Sequence, residues 1–98
     1  MTTKTLTLQD VIAENAETLN YLLDQDDVTA LTPTDFVEAL EDAGREFSGS
    51  FESTNQANGE AMAAAAVLLA EALALGIDDP DMPVLLRRAQ RRLRDTEI

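Results

Sequence analysis

The chain contains no cysteine, no histidine and no tryptophan, and a single lysine, Lys4, among its 98 residues. Without cysteine there is no disulfide framework. Without thiol or imidazole there is no Cys/His metal site and no catalysis by either group. Gly-rich phosphate loops, nucleophile elbows and paired catalytic motifs are missing as well. No catalytic residue, cofactor or metal is therefore expected, and an enzyme is the least supported class. A cation site at Asp78, Asp79 and Asp81 is conceivable, but an isolated acidic linker is normally just solvated. The N-terminal MTTKTLTLQD lacks a basic start, an apolar run and a small-residue cleavage site, so nothing in it points to export and a cytoplasmic product is expected. No internal repeat is visible, and no strand pattern survives the competing helical spacing.

What is present is negative charge. Asp and Glu number 19 against 7 Lys and Arg, a net charge of -12. Such a surface repels itself in dilute buffer and is relieved by salt, which suits a halophilic protein. The other reading is an ordinary acidic protein from an arginine-preferring genome. The charge is also segregated. Apart from Lys4 and Arg45, every basic residue is one of the arginines of residues 82–94, a stretch without an acid.

Ninety-eight residues suffice for one domain, burying about 65% of the surface of the unfolded chain. Its hub is residues 61–75, AMAAAAVLLAEALAL, where Glu71 is the one charge. Apolar residues all round a helix imply burial from several directions. The run is shorter than the roughly 20 residues of a spanning helix and Glu71 interrupts it, so lipid is not the expected partner. Ala63, Ala70 and Ala74 form a flat strip that lets a second helix come close. The fold expected is all-α, a single four-helix bundle with helices at about 8–24, 33–47, 58–75 and 82–94 and a long irregular loop between the second and third.

Each helix carries its own signals. Thr7 and Asp10 read as a capping box before the stripe Leu8, Val11, Ile12, Ala16, Leu19, Leu22 and Leu23. Asn15, close to that stripe, is read as a boundary residue facing water. Thr32, Pro33, Thr34 and Asp35 read as a second capping box, with proline at the first helical position, before a helix whose apolar face is Phe36, Val37, Leu40, Ala43, Gly44 and Phe47. A glycine within a helix costs about 1 kcal/mol relative to alanine, so Gly44 on that face implies a close crossing. In residues 48–59, SGSFESTNQANG, Ser53 with Gln56, or Asn58, is placed to cap the hub helix. Phe51 either folds back on the domain's own core, the favoured reading, or anchors in a neighbouring subunit. Gly76 sits where a left-handed C-cap belongs, with Ile77 making its apolar contact.

The last helix puts Met82, Leu85, Leu86, Ala89 and Leu93 on one face and Arg87, Arg88, Arg91, Arg92 and Arg94 on the other. Arginine pairs bidentately with carboxylate or phosphate, so this face suits an acidic protein partner, acids of its own chain, or a nucleic-acid backbone. Repulsion by the rest of the chain disfavours the last. Copies of one chain could also pair head to tail, basic helix against acidic face, and close into a ring.

Three segments resemble the head-to-tail adaptor, or connector, proteins of tailed bacterial and archaeal viruses: FVEALEDAGREFSGSF (36–51), the hub AMAAAAVLLAEALAL, and VLLRRAQRRLRD (84–95). Together they make up 43 of the 98 residues. The resemblance implies a virion structural subunit at the head–tail junction, assembled in the host cytoplasm as a twelvefold ring beneath the portal. Its partners would be further copies of itself, the portal protein, the next tail or head-completion protein, and DNA passing through the channel without sequence-specific binding, with no membrane. It also implies that Arg87, Arg88, Arg91, Arg92 and Arg94 meet the portal or a neighbouring subunit, and that the acidic faces of the first two helices line the lumen. The competing classes are a small acidic regulatory module, an antitoxin or DNA-mimic inhibitor acting on a basic protein, and a helical DNA binder using the terminal arginines.

Overall fold

The computed structural model describes residues 7–76 and 79–96. Among them are five α-helices, one short 3-10 turn and no strand: α1 (Leu8–Glu14), α2 (Ala16–Leu22), the turn Val28–Ala30, α3 (Pro33–Ser48), α4 (Ser53–Leu75) and α5 (Met82–Arg94). The all-helical expectation holds. The count differs because the expected first helix is two.

Asn15 is the reason for the break. Its side-chain Nδ2 donates to the carbonyl of Val11 at 2.9 Å, and its own backbone N–H turns back to Ile12, three residues away. A short amide side chain that takes over a helical carbonyl interrupts the ladder at that point. The next turn restarts at once, with the Leu19 N–H on the Asn15 carbonyl. The stripe survives the interruption, and Leu8, Val11, Ile12, Leu19, Leu22 and Leu23 are all buried.

The start signals act as the sequence indicates. Thr7 accepts from the Asp10 N–H while Asp10 Oδ2 accepts from the Thr7 N–H, a complete capping box. At α3 only half of the expected box forms: Thr32 accepts from the Asp35 N–H, with Pro33 in the first turn, and the return bond to the Asp35 carboxylate is not made. Between these helices Asn20 Oδ1 accepts from the Val28 N–H at 2.7 Å, which holds the 3-10 turn with Val28 inside. Asp24, at φ 54°, makes the left-handed step that ends α2.

The connection between α3 and α4 is the larger correction. The expected loop of residues 48–59 is reduced to residues 49–52, because α4 begins at Ser53 rather than near residue 58. No side chain caps that start. Instead the Gln56 side chain reaches back to the Ser50 carbonyl, and Asn58, a proposed cap, lies buried within the helix. The α3–α4 pair is thus a tight helical hairpin, as Gly44 implies. A Cβ on Gly44 would stand 2.8 Å from the Ala63 nitrogen, and one on Gly59 only 2.3 Å from the Ser48 nitrogen. The two backbones touch through small residues of both helices.

α4 lies between α3 and α5, and α1, α2 and the 3-10 turn complete the core. Its inner face is Met62, Ala65, Ala66, Leu69 and Ala72, against Phe36 and Leu40 of α3 and Leu86, Ala89 and Leu93 of α5 in one continuous cluster. By length and composition α4 would also pass as a bilayer-crossing helix, a test that the core helix of a bundle passes too. Gly76 does cap α4 with positive φ, but at ψ 166° it is extended rather than left-handed helical; Ile77 and Asp78 lie outside the described residues. Asp79 Oδ1 then accepts from the Asp81 N–H, leading into α5 at Met82 and Pro83.

Candidate functional site

Burial of the hub from every direction is not what the structure shows. One side of α4 stays open along its length: Val67 is 60% exposed, and Ala70, Glu71, Ala74 and Leu75 are exposed with it. The cause is geometric. α3 and α5 flank α4 left and right, the N-terminal helices close one face of this layer, and no element of the described chain covers the other.

Two shallow grooves of about 500 Å³ each run along this open face where α4 meets α5. One is floored by Ala64, Val67 and Leu68 and walled by Arg88, Arg91 and Arg92, with Asp95 at its end. The other continues past Arg88 to Glu71, Ala74, Leu75, Asp81, Val84 and Leu85. A third hollow, on the α3 side, shares Val67 and Glu71 and includes Glu41 and Arg45. Val67 and Glu71 therefore lie between a basic wall and a mixed one.

The arginines divide by environment. Arg94 pairs with Glu14 of α1, to which the Gln90 amide also donates. Arg45 pairs with Glu41 and Asp42 on its own helix. Arg87 turns its Nε to the Pro83 carbonyl at 3.4 Å. Among the described residues, no carboxylate lies within ion-pair distance of Arg87, Arg88, Arg91 or Arg92. Self-neutralisation thus accounts for Arg94 and not for the groove. No group of His, Cys, Asp and Glu suited to a metal ion occurs among the described residues.

The expected site residues are accordingly dispersed. Arg88, Arg91 and Arg92 come together in the groove, Arg87 lies outside its lining, and Arg94 ties α5 to α1. Phe51 is fully exposed, at 104%, on the tip of the α3–α4 hairpin, so the favoured reading that it folds onto the core is wrong. Sequence reasoning missed Glu14 and the apolar floor. The signal for Glu14 was Gln90, a polar residue on the same buried face as Leu86, Ala89 and Leu93, which needs a partner.

That pairing is testable. Glu14→Ala should cost about 1 kcal/mol, chiefly by leaving the buried Gln90 amide without its acceptor, since the half-exposed ion pair with Arg94 adds little. Glu14→Gln, which keeps an acceptor, should cost less. Equal urea midpoints for wild type and Glu14→Ala would show that the α1–α5 tie contributes nothing.

No protein-family model matches this chain, and no curated protein or solved structure is significantly similar to it. The fold and site define a small acidic helical protein with one open, arginine-edged apolar face.

Proposed function

We propose that this protein is a non-catalytic assembly subunit of the head-to-tail adaptor type, which forms a ring beneath a viral portal and joins head to tail while DNA passes through. The observation that supports it is the open face of α4 and α5, where exposed apolar side chains adjoin Arg88, Arg91 and Arg92, which make no ion pair among the described residues. A protein surface of opposite charge is the natural cover for such a face, because arginine pairs with carboxylates and the apolar floor gains from burial. The three segments that resemble the adaptor family coincide with α3 and the hairpin tip, the hub of α4, and α5. In this reading the partners are further copies, the portal and the next tail component; the place of work is the virion, and no cofactor or membrane takes part.

Light scattering coupled to size-exclusion chromatography, in dilute buffer and in molar KCl, with and without portal protein, tests the reading. A large closed oligomer, or a monomer that joins a portal ring, is expected. Arg88→Gln, Arg91→Gln and Arg92→Gln together should abolish assembly and leave the circular dichroism spectrum unchanged, since none of the three makes an ion pair among the described residues. A monomer or dimer that ignores portals and binds a basic protein would replace this reading with the acidic regulatory module.

A further inference from the structure

The groove and the exposed Phe51 are complementary, and they cannot meet within one molecule. Phe51 lies just ahead of α4, while the groove floor begins at Ala64, about 20 Å further along the helix at ~1.5 Å rise per residue. The hairpin is closed by backbone contact at Gly44 and Gly59, so its tip cannot fold back over that distance. Glu52 follows Phe51 and Glu46 lies in the last turn of α3, both exposed, and the groove is edged by Arg88, Arg91 and Arg92, which make no ion pair among the described residues, with Asp95 at one end. Aromatic rings also sit favourably against guanidinium groups.

We infer that the hairpin tip of one copy seats Phe51 on the Ala64–Val67–Leu68 floor of the next, with Glu46 and Glu52 facing Arg88, Arg91 and Arg92. The contact is heterologous, joining tip to groove, so every subunit offers one of each and the series closes as a ring or runs on as a filament. This rests on the assembly reading above and names its subunit contact. Net charge opposes the contact at long range in dilute buffer; at 1 M salt the screening length falls to about 3 Å and only adjacent groups still interact. Association should therefore increase with KCl.

The chain's lack of cysteine makes a clean test possible. A Phe51→Cys chain mixed with a Val67→Cys chain in molar KCl should form a disulfide-linked pair under mild oxidation, well ahead of either chain alone. Phe51→Ala should weaken self-association at least about tenfold, the effect of losing one buried aromatic side chain. The groove variant Arg88→Gln/Arg91→Gln/Arg92→Gln should do likewise, while Arg87→Gln, outside the groove lining, should not. If the protein assembles but Phe51→Ala assembles equally well and the mixed chains fail to cross-link, the contact is overturned and the assembly reading stands. Preferential cross-linking of Phe51→Cys to itself would replace it with a symmetric contact. A chain that stays monomeric in molar KCl and ignores the portal would overturn both.

Discussion

Gly59→Ala should lower the melting temperature by about 12–24 °C, equivalent to about 3 kcal/mol in a domain of this size. In an isolated helix the same change would stabilise by about 1 kcal/mol, because glycine is a poor helix former and alanine the best. Tertiary contact reverses the sign. A Cβ at residue 59 would come within 2.3 Å of the Ser48 nitrogen, 2.7 Å of the Gly44 carbonyl oxygen and 2.8 Å of the Phe47 carbonyl carbon. All three are backbone atoms, so no side chain can swing away and α3 must move bodily off α4. That displacement would loosen Phe36, Leu40 and Met62, which are fully buried beside the crossing. Gly44→Ala should act in the same direction with smaller effect, its nearest contact being 2.8 Å to the Ala63 nitrogen. Thermal melts followed by circular dichroism decide the matter. A Gly59→Ala protein that melts above wild type would show that the hairpin is not closed by backbone contact.

Gly44 was legible in the sequence, and its partner was not. A glycine on the apolar face of a strongly amphipathic helix stands out against Phe36, Val37 and Leu40. Gly59, in contrast, follows STNQAN, a run of residues that favour turns and caps, and local composition assigns it to a loop. The helix extends back to Ser53 because α3 lies against it there, a tertiary effect that propensity does not carry. Asn15 is the reverse case. The stripe from Leu8 to Leu23 keeps helical spacing throughout, and one side-chain hydrogen bond to Val11 breaks the helix without disturbing the pattern.

The candidate site was half legible for a related reason. Charge segregation marks the arginine face of α5 without ambiguity, because a face of arginines opposite Leu86, Ala89 and Leu93 has one orientation available. The floor of the groove is different. An alanine-rich helix is apolar on every side, so its sequence does not say which side the fold leaves open. Only the placement of α3 and α5 exposes Val67 and Ala74 and covers Ala65 and Leu69. Phe51 was misassigned because a lone aromatic residue in a polar segment reads equally as a buried lid or a projecting anchor.

Raising KCl from 0.1 M to 2 M should stabilise the fold by on the order of 2 kcal/mol, a rise of about 8–16 °C in melting temperature. Two like charges 10 Å apart in water repel by about 0.4 kcal/mol before screening, and roughly a third of that remains at 0.1 M salt, where the screening length is about 10 Å. On the order of a dozen such pairs would supply that 2 kcal/mol, and a net charge of -12 on 98 residues leaves many charges uncompensated. The ion pairs that would offset them are few: among the described residues Arg45 meets Glu41 and Asp42, and Arg94 meets Glu14. The outer face of α3 concentrates the excess, with Asp35, Glu38, Glu41, Asp42 and Glu46 exposed on one helix. Changing Glu38 and Glu46, which make no ion pair among the described residues, to glutamine should reproduce part of the gain in dilute buffer and flatten the response to KCl. That second measurement separates screening from a general strengthening of apolar burial by salt, which would leave the slope of the charge-reduced protein equal to that of the wild type. A melting temperature independent of KCl in both proteins would remove repulsion as a factor, and with it the halophilic reading of the composition.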